Sequence, residues 1–451
     1  MREQHGTQKN TSPLLLAIVA ACFGISVWVM APGWLTVDSL NHYVDAKAGV
    51  YHDMFPVLLS WIWNKLMVFG DSPLPMLVLN LAPYWAGFYF LSEAARSRIG
   101  NWAALVPLLG FWPGIFEQVG FVWKDIIFAT MMLFAWSVVI AAYFQERRPR
   151  RWERIAIPIA LTIAVGVKPN GITALPFVFG AWFYVEGRRA LVRTSLVSIA
   201  ASLAVTAVAY GITMPSKIVR QQNFMGQYTQ IYDLLGMSAG TGKVLLPSYI
   251  TDQRSSDIAD IRKEYWAGGV PSYFFNKNAQ GDLTTSDRAK IDELFAKWSD
   301  AIKEYPSEYL HHRWENLAVQ LRLGAYTPAW VGEPGIWENP LIPPFKENPI
   351  SRALGDSIKG MPWAYLPWVY GLLALLSLAV SLTLTRDRLL PLLLGASSFA
   401  FFAPHFFVLP AADYRYLYYC YLAAFAAAIM AVAGLTTKPL GAAREIPAEY
   451  A

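Results

Sequence analysis

The chain has 451 residues, 55% of them hydrophobic and only 15% charged, with 18 Trp, 23 Tyr and 25 Phe. A soluble domain carries roughly 25% charged residues, so the composition excludes an ordinary soluble globular protein and predicts an all-α polytopic membrane protein. The net charge of +5 does not suggest a nucleic-acid partner, and Cys22 and Cys420, both inside apolar segments, exclude a disulfide framework or a cysteine zinc site.

Apolar runs of ~18 residues mark spanning helices, and Lys and Arg in short loops mark the cytoplasmic side. The basic clusters are ARSR (95–98), QERRPRRWER (145–154), EGRRALVR (186–193) and TRDR (385–388), with Lys438 and Arg444 near the end. With all of these inside, helix 1 (13–32) runs outward as an uncleaved first helix, and helix 2 (74–94) returns. The intervening FPVLLSWIWNKLMVFG (55–70) cannot span and is predicted as a juxtamembrane helix on the outer surface. Helices 3 (102–118) and 4 (124–144) pair, followed by 5 (155–170), 6 (172–186) and 7 (192–214). Residues 216–360 carry no run long enough to span and are predicted as one extracytoplasmic domain. Within it, 287–306 has the pattern of an amphipathic helix capped near Ser286. Helices 8 (362–385), 9 (388–408) and 10 (414–436) follow, which divides the chain at 1–215, 216–360 and 361–451.

This topology delivers the unusual polar groups to one side. Asp38, His42, Asp45, His52 and Asp53 lie in the first outer loop; Glu117, Lys124 and Asp125 between helices 3 and 4; Lys168 and Asn170 at the end of helix 5; and His405, Asp413 and Arg415 between helices 9 and 10. Ionisable groups at membrane depth are costly and mark function by default. If 38–48 is helical, Asp38, His42 and Asp45 share a face, with Asp38 near the helix N-terminus, where the dipole favours its ionised form. Such a carboxylate can take a proton from a hydroxyl, and Lys124, Lys168 and Arg415 are cations able to hold a phosphate. A base beside an anion clamp suits group transfer from a lipid phosphate.

The motifs VDSLNHYVDAKAG and YHDMFP after helix 1, WKDIIF at the start of helix 4, VKPNG closing helix 5 and DYRYLYY in the last outer loop together resemble the GT-C superfamily of polyprenyl-phosphate-sugar-dependent glycosyltransferases. That group includes lipid A aminoarabinose transferases, protein O-mannosyltransferases and O-antigen-modifying glucosyltransferases. The resemblance covers about 1–215 and 362–436 and implies a GT-C fold of about ten transmembrane helices, with a mainly helical periplasmic domain between helices 7 and 8. It implies Asp38 as catalytic base of an inverting transfer, with Lys124, Lys168, Arg415 and His405 on the lipid phosphate. Asp125, His42, His52, Asp53, Glu117 and Tyr414 are implied to bind substrate. Ser39 stands where many relatives carry Glu, which points to transfer without a metal, a divalent cation being the alternative. The implied donor is an undecaprenyl-phosphate-linked sugar, and the acceptor a glycan or lipid at the outer face of the bacterial inner membrane. The competing functions are a flippase of lipid-linked sugar and an oligosaccharide polymerase or ligase using a lipid pyrophosphate. GMSAGTGKV (236–244) has the wrong spacing for a phosphate loop, and His311 and His312 are expected to be a satisfied interfacial pair and not metal ligands.

Overall fold

The computed structural model describes residues 12–52, 55–188, 190–215, 217–219, 224, 226–269, 283–324, 331–384 and 388–435. Asp53, Lys438, Arg444 and positions 385–387 lie outside the described residues. Helix dominates, and six segments are long and apolar enough to cross a membrane: Pro13–Met30, Leu74–Phe111, Lys124–Phe144, Leu191–Thr213, Leu389–Val408 and Tyr414–Leu435. The chain is a multi-pass helical membrane protein.

The first helix, α1 (Pro13–Met30), starts where the Ser12 hydroxyl accepts from the Leu15 amide and Pro13 occupies the first turn. Two short helices follow, α2 (Val37–Ala48), closed by left-handed Gly49 (φ 63°), and α3 (Val57–Leu66). α3 buries Leu58, Leu59 and Trp63 and runs into a 3-10 turn at Met67–Phe69, inside the expected helical stretch 55–70. α4 (Leu74–Ile99) continues to the end of ARSR, so those arginines sit on its last turn.

Expected helix 3 is different. Gly100–Phe111 is a 3-10 run, broken at Trp112 before a short helix α5 (Pro113–Val119). Pro107 and Pro113 remove amide donors and crowd the preceding turn, which works against one continuous α-helix. Gly110 also lies where a Cβ would be 2.8 Å from the Trp85 ring. Prolines shape three other segments. Expected helix 5 is α7 (Arg151–Val167), its successor a 3-10 turn Pro169–Ala174 and then α8 (Leu175–Val185). Expected helix 8 is a 3-10 turn Pro362–Tyr365 followed by a helix at Pro367–Leu384.

The centre of the bundle is α6 (Lys124–Phe144), apolar all round and 89% buried, the pattern of a helix enclosed on every side. It packs along α4, where a Cβ on Gly87 would lie 2.7 Å from Leu133, so the glycine sets the close approach. By contrast, α9 (Leu191–Thr213) is only 28% buried and turns Leu196, Ile199, Leu203 and Val208 outward.

Charge collects at the two ends of this bundle. At one end, Arg96 pairs with Glu93 (3.1 Å), Arg147 with buried Glu153 (2.6 Å) and Arg154 with Glu186 (3.2 Å). The other end carries the site described below.

Between α9 and the C-terminal helices a second core forms around Ile231, Leu234, Leu235, Ile261 and Leu294. Its helices include Gly226–Thr241, Arg288–Glu304 and Pro306–Leu321. Asp287, not Ser286, caps the second of these, accepting from the Ala289 amide at 2.9 Å. Fully buried Arg313 donates to Asp233 (2.7 Å), and His312 lies against the same carboxylate (3.2 Å), while His311 stays exposed beside Glu315 (3.4 Å).

This domain grips the segment that leads into the last helix. Arg313 donates to the Leu409 carbonyl (2.7 Å), Thr229 to Val408 (3.0 Å) and Gln320 to Asp413 (2.9 Å), and the Ala412 amide donates to Gly268 (2.7 Å). A parallel strand pair, β1 (Val50–His52) with β2 (Lys217–Val219), ties the first loop to the domain's start. The Leu35 amide donates to Gly335 (2.9 Å), and the Trp337 amide to Leu35 (3.0 Å).

Candidate functional site

Three distant pieces of chain meet at the start of α6. The Trp34 amide donates to Gly120 (2.9 Å) and the Val122 amide to Trp34 (3.0 Å), which lays the approach to α2 beside the approach to α6. Trp123 Nε1 donates to the Thr36 hydroxyl (2.8 Å), and the Ser39 hydroxyl to the Val122 carbonyl (2.8 Å). Ser39 is thus occupied in fixing α2 against the α6 entry. The third piece is the 3-10 turn Tyr414–Leu417, capped by Asp413, which presents Arg415.

Asp38, His42, Phe55, Val122, Trp123, Lys124 and Arg415 line a small cleft at this junction. Arg415 Nη2 donates to Asp38 (2.7 Å), and its Nε lies 2.9 Å from Asp413 and 3.9 Å from Asp125. The guanidinium sits 4.5 Å from the centre of the Trp123 ring, within cation–π range. Behind it, Lys168 and Asp125 form a buried ion pair, and the Lys168 ammonium lies 5.4 and 5.5 Å from the Phe401 and Tyr416 rings. Lys124 differs. It lines the cleft 5.4 Å from the Phe55 ring, and among the described residues no carboxylate lies within 4 Å of its ammonium.

The carboxylates differ in exposure: Asp38 keeps 36% of its side chain open, Asp413 12% and Asp125 1%. Burial pushes the Asp38 carboxyl up, but Arg415 and Lys124 outweigh it and leave it below the usual carboxylate value. Asp38 is therefore ionised at neutral pH. Burial, helped by the Lys124 charge and opposed by Asp38, pushes the His42 imidazole down to about 3, so His42 is neutral, its Nδ1 paired with the Ser60 hydroxyl (2.7 Å).

Burial lifts Asp413 to about 6 against the pull of Arg415, and the charges of Asp125 and Asp38 add to the rise. This value exceeds the ~3.9 of an unfolded Asp. The folded chain holds a proton there that the unfolded chain releases above pH ~4, so this group's contribution to stability falls as pH rises from ~4 to ~6 and is flat beyond. Asp38, depressed, contributes stability lost only as pH falls below ~4. We expect the melting temperature of wild type minus that of Asp413→Asn to decline between pH ~4 and ~6; parallel pH profiles would show that Asp413 holds no such proton.

Of the residues singled out in the sequence, Asp38, His42, Lys124 and Arg415 line the cleft, and Asp125 and Lys168 support it from behind. The others lie elsewhere. His52 is held by Asp45 through its ring (2.6 Å) and its amide (2.9 Å), so Asp45 faces that loop and not the cleft. His405 is buried, its Nδ1 2.7 Å from the Phe401 carbonyl. Glu117 is fully buried beside Gln118, and Tyr414 donates to the Gly114 carbonyl (3.0 Å) within an aromatic cluster with Tyr365 and Tyr421. Asp53 lies outside the described residues. Trp123 and Phe55 as cleft walls and Asp413 as a partner of Arg415 go beyond the roles the sequence assigns, although aromatics next to cations in VWKDIIF and DYRYLYY are a readable signal.

Asp38, Asp125 and Asp413 converge on Arg415 itself, and Lys168 takes the remaining inner oxygen. Asp125 Oδ2 is left buried without a hydrogen-bond partner among the described residues. Comparison with family models, with curated proteins and with solved structures finds no match for this chain.

Proposed function

We propose that the protein is an inverting glycosyltransferase of the GT-C kind, which moves a sugar from undecaprenyl phosphate to a glycan or lipid acceptor at the outer face of the bacterial inner membrane. In this reading the shorter helices complete ten crossings with the six long ones, and the basic end faces the cytoplasm. The cleft then opens to the periplasm, under the domain of residues 216–360. The observation that carries the reading is the pairing, in one cleft, of a partly open ionised carboxylate, Asp38, with Lys124, a cation that among the described residues has no carboxylate within 4 Å.

The chemistry follows from those two groups. The acceptor hydroxyl attacks the anomeric carbon from the face opposite the phosphate, and Asp38 takes its proton. The new bond to the acceptor oxygen forms as the bond to the phosphate oxygen breaks, and the electron pair leaves with the phosphate. That phosphate carries one negative charge before cleavage and up to about two after it, so Lys124 and Arg415 bind the leaving group more strongly as it departs. Neutral His42 adds a polar wall without a competing positive charge.

The test is to give the full chain in sealed liposomes undecaprenyl phosphate carrying radiolabelled sugars, with membrane extract as acceptor. We expect label in a new glycoside and the release of undecaprenyl phosphate. Label that crosses the vesicle membrane with no new glycosidic bond would make the protein a flippase.

A further inference from the structure

Arg415 has more carboxylate around it than one guanidinium needs. Its Nε lies 2.9 Å from Asp413 and 3.9 Å from Asp125, and its face rests on Trp123. Its Nη2 side points into the cleft and is taken by Asp38 at 2.7 Å. Asp38 is also the most open of the three carboxylates, so this is the bond at which a ligand can compete. Lys124 lines the same cleft, and among the described residues no carboxylate lies within 4 Å of it. An anion entering the cleft is drawn by Lys124 to the Nη2 group that Asp38 holds. A phosphate oxygen replaces a carboxylate oxygen there at equal charge and with the same fork geometry.

We propose that Arg415 is an exchangeable clamp: a phosphate ester seated on Lys124 takes over its Nη2, and Asp38 becomes a free carboxylate only when that phosphate is in place. This rests on the reading of the site as a sugar-phosphate transferase and adds an order to it, donor before acceptor. While paired with Arg415, Asp38 is a weak base. Loss of the guanidinium and arrival of an anion both raise its affinity for a proton. The exchange moves no proton and makes no covalent bond. The Asp413 charge beside Nε and the Trp123 ring keep Arg415 in position throughout. The charged and titratable groups around Asp38 are His42 on its own helix, Lys124 and Asp125 at the head of α6 with Lys168 behind them, and Asp413, Arg415 and Tyr416 on the last turn.

The probe is farnesyl phosphate, which carries the lipid phosphate without a sugar and leaves the acceptor side open. The full chain is treated with a water-soluble carbodiimide and an amine, which label protonated accessible carboxyls, and the Asp38 peptide is followed by mass spectrometry, with Asp71, an exposed carboxylate paired with Lys47 outside the cleft, as internal control. Saturating farnesyl phosphate is expected to speed Asp38 labelling about tenfold, the change in protonated fraction for one unit of proton affinity, with Asp71 unchanged. Inorganic phosphate is the second arm: an equal effect assigns the site to free phosphate, and an effect restricted to farnesyl phosphate assigns it to a lipid headgroup; either supports the exchange. If calorimetry shows farnesyl phosphate bound while Asp38 labelling is unchanged or slower, the exchange is overturned and the transferase reading stands. If neither phosphate binds, the phosphate site falls and the exchange with it. Faster labelling with no sugar transfer to any acceptor keeps the exchange and removes the transferase reading.

Discussion

Asp38→Asn protein is expected to fold and reach the membrane at wild-type yield, yet to transfer sugar ~10²–10⁴-fold more slowly, the usual contribution of a positioned general base. The amide has the carboxylate's shape and keeps an oxygen that accepts from Arg415 Nη2. The side chain is more than a third open, so little stability hangs on its charge. What the amide cannot do is accept the hydroxyl proton. The check is the initial rate of glycoside formation in proteoliposomes at matched protein content. An unchanged rate would take the base role from Asp38, and a collapsed yield would show that the ion pair with Arg415 is structural instead.

The second large effect is on stability. Lys168→Met removes the buried partner of Asp125 and leaves that carboxylate, 1% exposed, with only the 3.9 Å approach to Arg415. Breaking a buried pair from one side costs ~3–5 kcal/mol, and we expect a clear drop in the melting temperature of the detergent-solubilised chain. Arg415 would also be drawn toward the stranded charge and away from Asp38, so activity falls with stability. Adding Asp125→Leu removes the orphaned charge, and such apolar replacements of a whole pair are often neutral. The double variant is therefore expected to regain most of its melting temperature. A double variant as unstable as the single one would mean that the cost lies in packing against Phe401 and Tyr416, not in charge.

These outcomes rest on pairings that no sequence pattern announces. That Lys124, Asp125, Lys168 and Arg415 share one end of the bundle is legible, because ionised groups are expelled from the bilayer interior to the ends of apolar runs. The basic clusters at the opposite end are legible for the same reason. Which cation holds which carboxylate is not. Lys168 and Asp125 are 43 positions apart, and only the packing of α6 against the end of α7 turns one expected phosphate ligand into the counter-ion of a buried Asp. The resemblance implies His405 on the lipid phosphate and His52 on the substrate, yet one ring faces a backbone carbonyl and the other Asp45. Segment length was legible where the helix is regular, as at Lys124–Phe144, and not where proline intervenes. Hydropathy over 102–118 is that of a spanning helix, but Pro107 and Pro113 turn it into a 3-10 run and a separate short helix. In the inserted domain the amphipathic helix near 288–304 was readable, whereas its grip on residues 408–413 was not, since Arg313 reaches a main-chain oxygen that carries no sequence signature.

That grip has a practical corollary for anyone who would build hybrids from this scaffold. Arg415 follows directly on a stretch whose carbonyls and amide are clasped by Thr229, Gly268, Arg313 and Gln320. Transplanting a foreign domain in place of residues 216–360 would therefore loosen Arg415 as well. A workable chimera must carry residues 408–413 together with the donor domain, as a single cassette.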